Sequence, residues 1–225
     1  MQIHFEQAGA SFEGRVAVEP LTLSLTERRI GIIGLNGSGK TTFARMINGL
    51  VKPTQGRVTV DGFDSASDGE TVRAKVGFIF QNPQNQIILP ILHEDIALGL
   101  KNRRLPRHAV DAAVDGILRR FGIERLSGRR VHELSGGELQ LAALASVLVT
   151  EPEVVILDEP TNQLDLRNRA LVEKTVHGLD EMAIVISHDL DLIRDFDRVL
   201  LFHEGRLAAD DAPSQVIARY RELAA

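Results

Sequence analysis

The sequence contains no cysteine, and only 4% of its 225 residues are aromatic. Without cysteine there is no disulfide, no thiolate nucleophile and no cysteine-ligated zinc. So few aromatic side chains argue against a platform that stacks nucleic-acid bases. The net charge of -5 also argues against a surface that binds nucleic acid through its phosphates. We therefore expect no nucleic-acid partner.

Long hydrophobic runs are missing as well. No apolar run approaches the roughly 18 residues of a membrane-spanning helix, and the amino terminus lacks the charged-then-apolar pattern of a signal peptide. We expect a soluble, cytoplasmic protein, which can still dock on a membrane protein. Its 44% hydrophobic and 25% charged residues are typical of one globular domain with room for an inserted subdomain.

Two kinds of strand pattern predict an α/β fold. Residues 2–6 and 15–25 alternate apolar and polar side chains, which predicts an antiparallel β edge. Continuous apolar runs of strand length are typical of a largely parallel sheet buried on both faces, and they occur at 30–33, 76–80, 154–157, 183–186 and 199–202.

A helical pattern interrupts this series of strands. Apolar side chains recur at helical spacing in 110–121 and again in 141–148. We therefore predict an α/β core formed by 1–82 and 152–225, with an inserted α-helical subdomain at 83–151.

A glycine-rich loop joins the first apolar run to a helical pattern. It contains Gly34-x4-Gly39-Lys40-Thr41, the phosphate-binding loop, in which backbone N–H groups and the following helix dipole converge on phosphates. Lys40 is predicted to reach the β- and γ-phosphates, and the Thr41 hydroxyl to ligate Mg²⁺. The full set of predicted phosphate-loop residues is Gly34, Asn36, Gly37, Ser38, Gly39, Lys40, Thr41 and Thr42.

Two adjacent carboxylates, Asp158 and Glu159, follow the apolar run 154–157. A strand end of this kind lies at the sheet's carboxyl edge, where open α/β sheets bind ligands. Asp158 is predicted to hold Mg²⁺, directly or through water, and Glu159 to orient the attacking water or accept its proton. Such a dipeptide is also common in ordinary turns, and the phosphate loop earlier in the chain favours the functional interpretation.

A third motif, the sequence LSGGE at 134–138, offers a second anion site, because a serine hydroxyl and two glycine N–H groups precede a predicted helix. The order of the three motifs resembles the ATP-binding cassette (ABC) ATPases over essentially the whole chain. The resemblance implies a P-loop ATPase that uses ATP and Mg²⁺, and a head-to-tail dimer with two ATP molecules between the chains. The resemblance also implies that Ser135, Gly136 and Gly137 contact the γ-phosphate bound to the partner chain.

Four further residues match positions of this family. Gln81 matches the glutamine that senses Mg²⁺ and the attacking water, and His188 matches the switch histidine at the γ-phosphate. Asp165 lies in the loop that communicates across the dimer, although the neighbouring Gln163 departs from the small residue usual there. Phe12 lies where an aromatic ring stacks on adenine. Taken alone, Gln81 and His188 would be ordinary strand-end residues and Phe12 a core residue.

Residues 81–99 narrow the resemblance to one group of ABC ATPases. The segments QNP at 81–83 and EDIALG at 94–99 resemble the energy-coupling-factor importers, where they accompany the groove for a transmembrane coupling helix. The apolar residues 87–89 either supply surface to that groove or belong to the core. Many of these ATPases carry a further carboxyl-terminal region, whereas only some twenty residues follow Gly205 here. By whole-sequence resemblance the chain looks most like the ATPase subunits of biotin uptake systems.

This resemblance implies the partners and the place of action. They are a second ATPase chain, expected to be identical, a transmembrane scaffold subunit and a substrate-binding membrane subunit, at the cytoplasmic face of the membrane. Alternatives are an ordinary importer, a cobalt, nickel or other vitamin importer, a soluble ABC ATPase of translation or repair, and a non-catalytic nucleotide switch. The soluble ATPases usually have two cassettes or a long coiled coil, and a switch would be expected to lack Glu159 or His188. The basic stretch at 101–108 is interpreted as a solvated loop.

Overall fold

The structure is a computed structural model that describes residues 1–224. The chain forms two compact units. The first consists of Met1–Gly77, Glu153–Glu159 and the chain from Glu181 onward, and the second of Phe78–Pro152 and Pro160–Asp180.

An antiparallel four-stranded sheet forms one layer of the first unit. In spatial order its strands are β2 (Arg15–Leu25), β1 (Ile3–Phe12), β4 (Gln55–Val60) and β5 (Phe63–Asp64). Ile3 lies opposite Leu25 on one side and Val60 on the other, and all three side chains are fully buried. Alternation along these strands places one face against the core, as the period-two pattern of 2–6 and 15–25 predicts.

The second sheet is mainly parallel, and residues at the carboxyl ends of its strands form the candidate site described below. Its order is β10 (Arg206–Asp211), β9 (Arg198–His203), β3 (Arg29–Ile33), β8 (Met182–Ile186), β7 (Val154–Asp158) and β6 (Val76–Ile79). β3 lies in parallel between β8 and β9, and β10 runs antiparallel to β9. The five predicted apolar strands are all present, and β3, β7 and β8 are buried along their whole length.

The first unit also contains helices α1 (Lys40–Ile47), α2 (Gly69–Lys75), α7 (Leu190–Ile193) and α8 (Pro213–Ala224). The α1 residue Phe43 packs between the two sheets, with its ring centroid 4.4 Å from that of Phe5 and 4.8 Å from that of Phe202. This aromatic contact fixes the helix that follows the phosphate loop.

The second unit is mainly helical. Its helices are α3 (Leu92–Leu98), α4 (Arg107–Phe121), α5 (Gly136–Leu148) and α6 (Leu166–His177), with 3-10 turns at Pro83–Asn85, Lys101–Arg103, Glu124–Leu126 and Val131–Glu133. α5 is the central helix, since it contacts α3, α4 and α6 and buries most of its residues. No helix within residues 1–224 is long and apolar enough to cross a membrane.

Candidate active site

The phosphate loop leaves β3 and enters α1 at Lys40, as the sequence predicts. Its path requires glycine at two positions, because φ is 147° at Gly34 and 101° at Gly39. A Cβ atom on Gly34 would lie 2.1 Å from the carbonyl oxygen of Phe202, and one on Gly39 would lie 2.3 Å from that of Ala17. The loop therefore follows the backbones of β9 and β2 too closely for any side chain at these positions.

Lys40 is buried under this loop, with 7% of its surface exposed. Its Nζ donates hydrogen bonds to the carbonyl oxygens of Gly34 at 2.8 Å and Leu35 at 2.9 Å. Burial lowers the pKa of Lys40, and the negative charges of Glu159 and Asp158 oppose that shift. The lysine thus holds the loop in shape and presents a positive charge to it.

The end of β7 brings a carboxylate to the start of α1. Thr41 Oγ1 donates a hydrogen bond of 3.2 Å to Asp158 Oδ1, and Asp158 is 3% exposed. Burial raises the pKa of Asp158, against the hydrogen bond from Thr41 and the charges of Arg45 and Lys40. A hydroxyl and a carboxylate side by side are the oxygen ligands that Mg²⁺ prefers, so the donors present fit this ion.

Glu159 has a backbone conformation that glutamate rarely adopts, with φ of 53°. Its Oε2 accepts a 3.2 Å hydrogen bond from the backbone N–H of His188. Its Oε1 is buried and receives no hydrogen bond from residues 1–224, although His188 Nε2 lies 3.3 Å away. Burial raises the pKa of Glu159, chiefly against the hydrogen bond from His188 and the charge of Lys40. This carboxylate oxygen therefore has acceptor capacity that residues 1–224 leave unused.

His188 joins the carboxylate to the phosphate loop, since its Nε2 lies 3.0 Å from Asn36 Oδ1. Burial lowers the pKa of His188, and the charge of Lys40 adds to that effect. The first unit therefore brings together six of the predicted site residues: Asn36, Lys40, Thr41, Asp158, Glu159 and His188.

Phe12, the last residue of β1, is 49% exposed. The alternative that Phe12 is a core residue is therefore wrong. Its ring presents an apolar surface to solvent beside the turn to β2, where Phe12 pairs with Arg15.

The motif at 134–138 forms the start of α5 in the second unit. Ser135 caps the helix: its Oγ accepts from the backbone N–H of Glu138 at 3.4 Å, and Glu138 Oε2 accepts from that of Ser135 at 2.9 Å. Arg125 holds the other glutamate oxygen at 2.5 Å. The hydrogen bond from the Ser135 backbone N–H lowers the pKa of Glu138 most, and the contact with Arg125 lowers it further. Sequence analysis missed Arg125, and no signal in the sequence distinguishes it from its neighbouring arginines.

Two more predicted residues, Gln81 and Asp165, also lie in the second unit. Gln81 follows β6 and is exposed, and Asp165 caps the start of α6. Asn168, which sequence analysis also missed, binds Asp165 with its backbone and its side-chain amide. Its position, three residues after a helix-capping aspartate, is the one signal that could have identified it.

Known proteins similar to this chain agree on its family. The model of the ABC transporter family matches residues 18–162. The biotin transport ATP-binding protein BioM of Rhizobium etli is 67% identical over 225 residues, which cover 100% of both chains. The energy-coupling factor transporter ATP-binding protein EcfA1 of Halalkalibacterium halodurans is 37% identical over 201 residues, covering 87% of this chain and 72% of that protein.

The structure of CbiO1 from Clostridium perfringens, part of the ABC transporter complex CbiONQ, has a TM-score of 0.86 at 32% identity, covering 98% of this chain and 93% of that chain. The chain therefore belongs to the ABC transporter family and is an ATPase of that family. The predictions of an α/β P-loop fold, of ATPase activity and of a resemblance to energy-coupling-factor ATPases are confirmed.

Proposed function

We propose that this chain is the ATP-hydrolysing subunit of an energy-coupling-factor importer for biotin. The observation that carries the proposal is full-length identity of 67% to a protein named for biotin transport. The candidate site supports ATP as the energy source. The solute is assigned by similarity, because the solute would contact the membrane subunits and not the ATPase.

ATP is proposed to bind with its phosphates along the loop at 34–42 and its adenine on the exposed ring of Phe12. The ammonium group of Lys40 lies at this loop, against the carbonyl oxygens of Gly34 and Leu35. From there it would neutralise charge on the phosphates. Thr41 and Asp158, which share a hydrogen bond of 3.2 Å, would hold Mg²⁺. Gln81 keeps the role that the family resemblance implies, sensing Mg²⁺ and the attacking water. When bound, Mg²⁺ supplies charge neutralisation at the phosphates.

Glu159 is proposed to orient the attacking water or accept its proton. The observation that supports this role is the buried Oε1, which accepts no hydrogen bond from residues 1–224 and has His188 Nε2 3.3 Å away. His188 holds Glu159 through its backbone N–H and would contact the γ-phosphate with its ring. Catalysis then consists of positioning and charge stabilisation and involves no covalent intermediate.

Two copies are proposed to close head to tail around two ATP molecules. Each chain carries both a phosphate loop and the second anion motif, so a homodimer has two complete sites. The residues that would reach the partner's nucleotide are Ser135, Gly136, Gly137 and Asp165. Closure and reopening would drive the transmembrane scaffold and the substrate-binding membrane subunit, at the cytoplasmic face.

We propose that residues 83–151 act as the helical subdomain that receives the membrane subunit. Ile88 is 75% exposed, an unusual position for isoleucine. Its backbone is fixed, because the buried Asp95 Oδ1 accepts the N–H groups of Ile88 at 2.7 Å and Leu89 at 2.9 Å. An apolar side chain on a rigid turn is suited to anchor a coupling helix.

Ile88→Asp should uncouple ATP hydrolysis from transport. The charged side chain would lie in the apolar contact, so we expect uptake by the membrane complex to fall at least about tenfold. Hydrolysis by the isolated chain should stay within about twofold of the original, because Ile88 belongs to the second unit and the phosphate loop, Asp158 and Glu159 to the first. The matched control is Leu105→Asp, at an exposed leucine of the same unit. Equal losses in both variants would argue against a specific anchor.

The test of the proposed function is uptake in proteoliposomes that contain the ATPase with its membrane subunits. We expect labelled biotin to accumulate only with internal ATP-Mg²⁺ on the ATPase side, and unlabelled biotin to compete. Hydrolysis with no biotin uptake would overturn the biotin assignment and direct the assay to cobalt, nickel and other vitamins. No hydrolysis in the intact complex would overturn the role as its energy source.

A further inference from the structure

Both glycines of the second anion motif pack against the segment that carries Asp165. A Cβ atom on Gly137 would lie 2.2 Å from Asn168 Oδ1 and 2.4 Å from its Cγ, and one on Gly136 would lie 3.5 Å from Leu164 Cδ2. Gly137 is buried. The side chain of Asn168 therefore occupies the space that any larger residue at 137 would need.

Asn168 holds Asp165 at the same time. Asp165 Oδ1 accepts the backbone N–H of Asn168 at 2.8 Å, and Oδ2 accepts its Nδ2 at 3.0 Å. Because a carboxylate only accepts hydrogen bonds, the NH₂ group of Asn168 must face Asp165, and its carbonyl oxygen then faces Gly137. One amide thus contacts both segments.

We propose that Asn168 is a positioning residue that fixes Asp165 relative to the motif at 135–137, so that the two groups offered to the partner's nucleotide move as one. The inference rests on the proposed ATP-bound dimer. Asn168 itself contacts no reacting atom, and its effect would be exerted through Asp165 and Gly137. The competing explanation is that Asn168 only stabilises the first turn of α6.

Asn168→Ala separates the two explanations. The variant keeps the backbone N–H that Asp165 caps, so α6 and the melting temperature should be nearly unchanged. ATP binding to the isolated chain should also stay within about twofold. The maximal hydrolysis rate should fall about ten- to hundredfold with little change in KM, as expected when groups are misplaced. A wild-type maximal rate, or a loss that follows the melting temperature alone, would overturn the proposal.

A second, size-matched variant tests the amide contact. Asn168→Asp preserves the shape but places a second carboxylate against Asp165, and like charges in contact repel. We expect it to lose at least as much activity as Asn168→Ala. Activity equal to that of the unchanged chain would refute a role for the donated hydrogen bond.

The contact with Gly137 predicts that a substitution at 168 can suppress the defect of Gly137→Ala. The readout is ATP-dependent dimerisation, measured by light scattering in a parent chain that carries Glu159→Gln. Gly137→Ala should abolish the dimer. Adding Asn168→Ala should not restore it, because the Cβ of residue 168 would still lie 2.7 Å from the new methyl group. Adding Asn168→Gly removes that atom and should restore part of the dimer; failure to do so, in a double variant that still binds ATP, would overturn the proposal. If the Glu159→Gln parent forms no dimer with ATP, the proposed dimer itself is refuted. That result is obtained before any substitution at 137 or 168 is made, so it is distinguishable from a failure of the proposal about Asn168.

Discussion

Glu159→Gln should reduce the maximal rate of ATP hydrolysis by about a hundredfold to ten-thousandfold, the range expected for removing a general base. Glutamine has the same shape, and its carbonyl oxygen can still accept the hydrogen bond from the backbone N–H of His188, now 3.2 Å long. It has no carboxylate to take a proton from water. ATP binding should therefore persist, and the ATP-bound dimer should accumulate. Single-turnover hydrolysis and equilibrium nucleotide binding measure the two effects.

The control for this variant lies at the other end of the same strand. Glu153 directly precedes β7 and forms an exposed ion pair with Lys75 at 2.5 Å. Glu153→Gln likewise removes one negative charge next to β7, at its other end, and we expect the rate to change by less than about twofold, because exposed ion pairs contribute little. Full hydrolysis by Glu159→Gln would exclude Glu159 as the base, and an equal loss in both variants would indicate a general effect on β7.

The parts of the fold that the sequence predicts are those with strong, regular patterns. Strands β3, β7 and β8 are buried throughout, so their sequences are continuous apolar runs. Parallel strands that end at one sheet edge also bring their following residues together, which is why Asp158 could be expected beside the phosphate loop. The 3.2 Å contact between Thr41 and Asp158 agrees with that expectation.

Other elements left no clear pattern. The first three residues of β4 are exposed, and β10 mixes exposed and half-buried residues, so neither strand shows a sustained alternation. The positive φ of Glu159 cannot be read from its residue type, because glutamate rarely adopts this conformation. Asn168 was missed because a polar residue in the first turn of a helix is usually solvated, and only the structure shows its contact with Gly137.

Lys40→Ala should weaken ATP binding by about ten- to hundredfold, which corresponds to the loss of a hydrogen bond to a charged group. The structure adds a second cost. Nζ donates to the carbonyl oxygens of Gly34 and Leu35, so its removal leaves the loop without the group that holds its shape. Hydrolysis should consequently fall together with binding, and higher ATP concentration should not restore the original rate. This pattern differs from that of Glu159→Gln, which affects turnover alone.

Lys40→Arg distinguishes charge from shape in this result. It keeps a positive charge, but the guanidinium group is larger and planar, and the space under the loop is closed, with Lys40 only 7% exposed. We expect Lys40→Arg to bind ATP nearly as weakly as Lys40→Ala, whereas Lys52→Ala, at an exposed lysine of the same unit, should bind normally. Isothermal titration measures all three affinities. Recovery of binding in Lys40→Arg would mean that charge alone is sufficient, and that the two carbonyl hydrogen bonds contribute little to the shape of the phosphate loop.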